Sequence, residues 1–204
     1  MILDIMKRIV LLIIVVLSAY HVNAQGKRTI RDSFESNRFQ WEEFYEKSYS
    51  CSIQDGFLQL KSDEEDQSVW SVAELPIDVD KNFEITLNFN VNSIADDCWF
   101  GIVFNYEDAN NYNCFIVQEK KFRLVNMVNG VSSISRRNEI ILKKGGFKDV
   151  KMEMKKKGRK LYFLVDDMDV IAITKNVTNN IFGCIVFGNT TIRLKEVIIE
   201  QMEE

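Results

Sequence analysis

The sequence predicts an all-β fold in which two antiparallel sheets pack face to face. Apolar and polar residues alternate with a period of two in most segments, whereas no segment keeps a helical apolar period for three turns. In Phe83–Val91, the clearest case, apolar residues alternate with Glu84, Thr86, Asn88 and Asn90. A strand of this kind has one face in a core and one in solvent, which is typical of antiparallel sheets.

Further strand-like segments and turn signals follow one another at intervals of roughly 8–12 residues, as in sandwiches and barrels. The segments are Phe57–Leu60, Val69–Ala73, Cys98–Phe104, Tyr112–Gln118, Phe122–Met127, Val131–Ile134, Val150–Met154, Leu161–Val165, Val170–Thr174, Ile181–Phe187 and Ile192–Ile199. Turn signals lie at Asp55-Gly56, Asn129-Gly130, Gly145-Gly146 and Asp166-Asp167. The Asn-Gly pair predicts a two-residue hairpin turn.

The segments Cys98–Phe104 and Tyr112–Gln118 are predicted to form a hairpin. With the turn centred near Asp108, Ile102 would lie opposite Cys114. Both segments carry apolar residues on both faces. One face is therefore expected to contact the core, and the other to be either covered by a loop or exposed as a binding surface.

The four cysteines are expected to be buried thiols. Cys98, Cys114 and Cys184 lie inside apolar strand-like runs, where a free cysteine behaves as a small hydrophobic residue. In the predicted hairpin, Cys98 and Cys114 are about 13 Å apart along the strand, which is too far for a disulfide. Export would permit disulfides, and Cys51 adds a fourth partner, so pairing is the alternative.

The N-terminus has the pattern of a secretory signal peptide. Lys7 and Arg8 precede the apolar run Ile9–Leu17, and small or apolar residues lead to Ala24. We predict that residues 1–24 are a signal peptide cleaved before Gln25. The alternative is an uncleaved membrane anchor, which needs about 20 apolar residues, well beyond this run. We therefore expect a secreted or periplasmic protein without membrane contact after cleavage.

Cleavage would leave one domain, residues 25–204, and would remove the only histidine, His21. A domain of this length can build a single core. Without histidine, the mature chain has no Ser-His-Asp triad, no Cys-His pair and no His-ligated zinc. The formal net charge of −4 argues against nucleic acid and anionic membranes as partners.

Several short motifs, taken in order, resemble the concanavalin A-like lectin/glucanase superfamily, in particular laminin-G-like jelly-roll sandwiches of secreted bacterial proteins. The resemblance extends from Ile30 to Gln201 and so covers nearly the whole expected domain. Its motifs are Asp32–Trp41, Ile53–Leu60, Asn82–Ile85, Phe100–Phe104, Asp108–Tyr112, Phe115–Ile116, Leu161–Val165 and Ile181–Phe187. The resemblance implies a two-sheet jelly roll.

The resemblance also implies a function connected with glycans. Some members of the superfamily are glycoside hydrolases that carry a Glu-x-Asp-x-x-Glu strand, and this sequence has no such strand. We therefore expect a non-catalytic module that binds a polysaccharide or cell-envelope glycan. Retaining hydrolysis needs two carboxyls about 5 Å apart. One alternative is therefore a hydrolase in which Glu84 and either Asp96 or Asp97 supply these two carboxyls. Another is a protein-interaction domain of the cell envelope.

Aromatic residues are the first candidates for contact with a sugar, because an aromatic ring packs well against the apolar face of a pyranose. Trp99 is the strongest candidate, since its neighbours in the strand already supply an apolar opposite face. Trp41 and Trp70 are instead expected to pack inside the sandwich, in the core or between the sheets. Tyr106 and Asn111, near the hairpin tip, could contact sugar hydroxyls, although asparagine in a turn often serves the backbone.

The polar candidates are Glu84 and Asn88, which share the polar face of the clearest strand. Asp96, Asp97 and Asp108 are candidate ligands for Ca²⁺, an ion that takes six to eight oxygen ligands. The alternative is that all three belong to ordinary acidic turns. No other cofactor is expected.

Overall fold

A computed structural model describes residues 26–118, 121–139 and 148–202. The expected signal peptide 1–24 with His21 and the Gly145-Gly146 turn lie outside the described residues. The described chain consists of fifteen β-strands joined by turns and loops. In this part of the chain, no helix is long and apolar enough to cross a membrane.

The strands include every segment predicted from alternation, together with three early strands that the sequence did not reveal. They are β1 Lys27–Asp32, β2 Phe44–Tyr45, β3 Tyr49–Gln54, β4 Phe57–Ser62, β5 Ser68–Glu74, β6 Phe83–Ile94, β7 Trp99–Asp108, β8 Asn111–Gln118, β9 Lys121–Val128, β10 Val131–Glu139, β11 Asp149–Lys157, β12 Lys160–Val165, β13 Met168–Thr174, β14 Ile181–Phe187 and β15 Thr190–Met202.

The strands form two antiparallel sheets, which confirms the predicted fold class. The nine-stranded sheet has the order β13-β12-β11-β6-β15-β4-β3-β2, and β1 pairs with the second half of β15. The six-stranded sheet has the order β10-β9-β8-β7-β14-β5. The described chain changes sheet six times: at β4–β5, β5–β6, β6–β7, β10–β11, β13–β14 and β14–β15. These crossings produce a jelly-roll sandwich.

The core lies between the sheets and is rich in phenylalanine. As the alternation predicted, the apolar residues of Phe83–Val91 in β6 are all buried there. The ring of Phe89 meets that of Phe100 from the other sheet at 5.5 Å between centroids. Phe163 contacts Phe104 at 5.5 Å and Phe115 at 4.9 Å. Such pairs add to the free energy gained by burying apolar surface, and here they join the two sheets.

The predicted β7–β8 hairpin forms, but its predicted register is wrong by one residue. Ile102 lies opposite Phe115, and Cys114 lies opposite Val103. The cause is a bulge near the tip, where Asn105 adopts a left-handed φ of 50°. Ile102 and Phe115 therefore point into the core together, while Cys114 turns to the outer face.

The hairpin turns follow their sequence signals. Asn129 and Gly130 join β9 to β10 with φ values of 50° and 75°, as expected for the predicted two-residue turn. Asp166 and Asp167 join β12 to β13 with φ values of 48° and 68°. These turns fix the register of their strands, and with it the face on which each side chain lies.

All four cysteines are free and buried, so the prediction of thiols is confirmed. Burial raises the pKa of Cys51 and of Cys114 to about 12. At neutral pH both side chains are therefore protonated and behave as small apolar groups.

Two glycines sit at the centre of the six-stranded sheet, where neighbouring strands leave no space for a side chain. A Cβ on Gly101 would lie 2.0 Å from the backbone oxygen of Phe115. A Cβ on Gly183 would lie 2.0 Å from the backbone oxygen of Ser71. Since backbone atoms of a paired strand cannot move aside cheaply, both positions require glycine.

We predict that Gly183→Ala lowers the free energy of unfolding by about 3 kcal/mol, because the new methyl group collides with the β5 backbone. Gly158→Ala is the matched control. It also replaces a glycine, one with a φ of 57° but with no atom within 4 Å of the added Cβ. That change should cost only about 1 kcal/mol. Urea unfolding measures both, and equal losses would contradict the predicted crowding at Gly183.

Candidate functional site

The outer face of the six-stranded sheet is apolar, although an outer sheet face normally carries polar residues. Its residues form a second apolar cluster, separate from the core. The buried members are Val72, Val103, Tyr112, Cys114, Ile116 and Ile185, and the half-buried members are Trp70, Trp99, Tyr106, Val125, Met127 and Ile181. An apolar surface of this kind marks an interaction site in many proteins.

Three aromatic side chains form a compact group on this face, which we call the aromatic cluster: Trp70 of β5, Tyr106 of β7 and Tyr112 of β8. Their ring centroids lie 6.0–6.3 Å apart. The indole Nε1 of Trp70 donates a hydrogen bond to the Tyr106 hydroxyl at 3.1 Å. This bond orients both rings before any ligand arrives.

The position of Trp70 differs from the expectation that it packs in the core. On β5 the residues Val69 and Ala73 point into the core, so Trp70 and Val72 point outward. The sequence of β5 does not reveal this, because it carries apolar residues on both faces. Trp41 is placed as expected: it is buried, and its Nε1 donates to Asp32 Oδ2 at 2.9 Å.

Glu42 lies beside the aromatic cluster and supplies a carboxylate. Together with Trp70 it lines a cavity of about 260 Å³ at the β5 edge of the sheet. Partial burial raises the pKa of the Glu42 carboxyl. Burial also raises the pKa of Tyr106, although the hydrogen bond from Trp70 opposes that shift. The Tyr106 hydroxyl is therefore a neutral donor at any physiological pH.

A groove of about 430 Å³ adjoins the cluster at the end of the sheet near the β7–β8 tip; we call it the polar groove. Tyr112 lines this groove and also belongs to the aromatic cluster, so the two are continuous. The other lining groups that matter here are Asn105, Asn113, Lys175 and Asn176. Amide and ammonium groups of this kind can bond sugar hydroxyls.

A chain of side-chain hydrogen bonds holds the polar groove in shape. Asn105 donates to Asn113 at 3.1 Å, and Asn113 donates to Asn126 at 3.0 Å. Lys175 donates through Nζ to the same Asn126 oxygen at 2.8 Å. Asn105 also accepts a bond from the backbone N–H of Thr178 at 2.9 Å, which ties the β13–β14 connection to the sheet.

The predicted residues of the β7–β8 region all lie on or near this face. Trp99 points outward, as predicted, and stacks on Phe187 at 5.2 Å with an interplanar angle of 5°. Tyr106 is in the aromatic cluster. Asn111 lines the polar groove, but its amide donates to Asp108 and accepts from the Asn129 backbone. Asn111 therefore serves mainly the two hairpin tips.

Glu84 and Asn88 lie on the opposite side of the molecule. They occupy the outer face of the nine-stranded sheet, because their β6 neighbours point into the core between the sheets. Glu84 forms an ion pair with Lys155 at 3.1 Å, and Asn88 bonds Glu196 at 3.4 Å. The structure thus does not bring these two residues together with Trp99, Tyr106 and Asn111.

The three candidate calcium ligands are also separated. Asp96 and Asp97 precede β7, while Asp108 ends it, about 30 Å away at the usual rise per residue. Asp108 accepts hydrogen bonds from Asn110 and Asn111, as in an ordinary turn. A calcium site made by all three aspartates is therefore not formed. Among the described residues, no group of three acidic, cysteine or histidine side chains is arranged to hold a metal ion.

The proposed hydrolase pair fails for a similar reason. Glu84 lies at the start of β6, whereas Asp96 and Asp97 follow its end. A strand of this length separates them by roughly 35 Å. Two carboxyls must be within about 10 Å to flank one glycosidic bond. Glu84 and these aspartates therefore do not form a catalytic pair.

No family model and no curated protein matches the chain. Its fold is nevertheless shared with solved structures. A protein of unknown function with a galectin-like fold from Bacillus subtilis superposes with a TM-score of 0.61 at 10% identity, over 88% of this chain and 99% of that one. The sandwich is therefore a galectin-like jelly roll, as the resemblance implied at the level of fold.

Two other similar structures carry names that refer to carbohydrate. The carbohydrate-binding module CBM66 from Bacillus subtilis has a TM-score of 0.57 at 15% identity and covers 76% of this chain and 94% of its own. The VIP36 exoplasmic/lumenal domain, in a form bound to Ca²⁺ and Man3GlcNAc, has a TM-score of 0.58 at 11% identity, over 80% of this chain and 86% of that one. At such identities the likeness concerns the fold alone.

We predict that Tyr106→Phe costs about 1 kcal/mol of stability, because it removes the acceptor for the Trp70 indole. The tryptophan fluorescence should also show faster local motion of an indole. Tyr45→Phe is the control, since Tyr45 is 73% exposed. Urea unfolding and time-resolved anisotropy measure the two effects. If both variants behave like the unmodified protein, the bond does not hold Trp70 in place.

Proposed function

We propose that this protein is a carbohydrate-binding module whose binding surface is the aromatic cluster together with the polar groove. The observation that carries the proposal is their continuity through Tyr112: rings that can stack on a sugar adjoin amides that can bond its hydroxyls. Sites for small ligands generally combine apolar walls with a few fixed polar groups. The fold shared with the module CBM66 and the VIP36 domain supports the proposal.

Recognition would combine stacking with hydrogen bonds. The apolar C–H face of a pyranose would pack against Trp70 and Tyr106, whose rings are oriented by their shared hydrogen bond. Glu42 would accept bonds from hydroxyls at one side of the cluster, and the groove amides would bond hydroxyls at the other. Because the protein groups are already held in place, binding orders few side chains, which favours affinity.

The proposal predicts that Trp70→Ala weakens binding of a polysaccharide by about tenfold or more, because the largest stacking surface is lost. Tyr162→Ala is the matched control: Tyr162 is a half-buried aromatic residue on the outer face of the nine-stranded sheet. A glycan array identifies the ligand, and titration calorimetry gives both affinities. Equal losses in the two variants, or no binding across the array, would contradict the proposed surface.

We propose in addition that the protein is exported, on the pattern of residues 7–24. A glycan-binding module acts where polysaccharide is found, so export and the proposed function agree. We expect mass spectrometry of the protein recovered from the periplasm or medium to give Gln25 as the first residue. Recovery of an intact Met1 terminus in the membrane fraction would contradict the proposed cleavage.

A protein-interaction domain is the second candidate function, and one surface favours it. The β9–β10 hairpin exposes three aliphatic side chains: Val128 is 57% exposed, Val131 70% and Ile134 47%. These residues lie at one edge of the six-stranded sheet, next to the polar groove. Loss of a copurifying protein on Val131→Ser, with glycan binding unchanged, would favour this function.

A further inference from the structure

The polar groove contains a cation that has no anionic partner among the described residues. Lys175 lines the groove and is half-buried there. Its Nζ makes one hydrogen bond, to the amide oxygen of Asn126 at 2.8 Å. None of the ion pairs between described residues involves it. The two remaining N–H donors of the ammonium group are therefore available to a ligand.

Two other half-buried lysines, Lys151 and Lys155, behave differently. Lys151 and Lys155, on the nine-stranded sheet, both pair with Glu153, at 3.4 and 3.6 Å. Burial acts to lower the pKa of all three lysines, but nearby carboxylates outweigh it at Lys151 and Lys155 and raise their pKa values, whereas the pKa of Lys175 is lowered.

Partly buried charges in proteins are usually paired, because leaving water is costly without a partner. Lys156 is also half-buried without an ion pair, but its Nζ donates to the backbone oxygens of Asp80 and Lys81. Lys175 has neither a carboxylate partner nor a second hydrogen bond among the described residues, and it lies in the groove.

The carboxylates closest in sequence to the groove do not supply that partner. Glu107 lines the groove but is exposed, and it forms no ion pair with Lys175. Asp108 is held in its own turn by Asn110 and Asn111.

The remaining polar groups of the groove are neutral amides and the Thr178 hydroxyl. The side-chain N–H groups of Asn105 and Asn113 are already used within the groove. An incoming anion would thus meet the Lys175 ammonium and the side chains of Asn176 and Thr178. The exposed Glu107 carboxylate is the one opposing charge in the groove lining.

We infer that the polar groove binds an acidic sugar unit, with the carboxylate or sulfate of that sugar on Lys175. The inference rests on the proposed function, because the aromatic cluster would hold the neighbouring sugar of the same chain. Tyr112 lies between the two positions and contacts both. Lys175 would pair with the anion, while Asn176 and Thr178 beside it would bond the hydroxyls of the same ring.

The position of Lys175 is fixed by the backbone around it. The residue follows β13 and begins the connection to β14. That connection is bonded to Asn105 twice: the backbone oxygen of Asn176 accepts at 3.1 Å, and the Thr178 N–H donates at 2.9 Å. The ammonium is therefore presented by a rigid segment, which reduces the entropy lost when an anion binds.

The test compares acidic oligosaccharides with neutral forms of the same chains. The probes are oligogalacturonate, oligoglucuronate and oligomannuronate, each with its methyl ester, and a sulfated galactan with its desulfated form. Titration calorimetry is run on the unmodified protein, Lys175→Gln, Lys175→Arg and Lys195→Gln. Lys195 is the matched control, because it lies on the nine-stranded sheet and its exposed pairing with Asp149 contributes little to stability.

We expect at least one acidic chain to bind about tenfold more tightly than its neutral form, as one charge-assisted hydrogen bond provides. Lys175→Gln should reduce that ratio to about one, and Lys175→Arg should retain most of it. Lys195→Gln should leave the ratio unchanged. The uronate and sulfate arms identify which anion the groove accepts. High salt should also reduce the ratio, because the pair is partly exposed.

Other outcomes separate this inference from the function on which it rests. If neutral chains bind through Trp70 with no preference for the acidic form, the acidic-sugar inference is wrong and the proposed function stands. If Lys175→Gln keeps the preference, the anion is bound elsewhere and the inference is wrong. If no chain in either form binds, both are wrong. Thermal unfolding of each variant confirms that a lost preference is not lost folding.

Discussion

The packing of the two sheets through one shared phenylalanine-rich core is the constraint on which the other features depend. Each strand has two faces, and the core takes one of them. In β7, β8 and β14 the residues facing the core include Phe100, Phe115 and Phe182. The residues that alternate with them along each strand must therefore face outward. The outer apolar face is therefore a direct consequence of the register that the core selects.

The two outer faces differ in how far their polar groups are already satisfied. On the nine-stranded sheet, Glu84, Glu153, Lys151 and Lys155 pair with one another across β6 and β11. Such a surface has little to gain from a ligand, because a sugar would have to displace existing pairs. On and beside the six-stranded sheet, aromatic rings and Lys175, which has no ion pair among the described residues, leave those interactions to a partner. This contrast favours the six-stranded sheet as the face that carries the proposed binding surface.

Alternation in the sequence predicted most of the fold and part of the site. It worked where one face of a strand is polar, as in β6, and it placed Trp99 on the outer face correctly. It failed for Trp70, because β5 carries apolar residues on both of its faces. It also could not reveal Lys175, which joins the groove only through the β13–β14 connection. Alternation also could not predict the bulge at Asn105, because a left-handed backbone conformation leaves no mark in the pattern of apolar and polar residues.

The position of β15 in the nine-stranded sheet has a consequence for how the chain folds. This strand, Thr190–Met202, lies at the centre of the sheet and pairs with β6 on one side and with β4 and β1 on the other. Until the first half of β15 is available, β4 and β6 have no common neighbour. Until the second half, Val197–Met202, is available, β1 has no strand to pair with among the described residues. The nine-stranded sheet therefore cannot close until β15 has left the ribosome. Contacts between such distant parts of the chain also make folding slow, and the unpaired edges are open to aggregation until it ends.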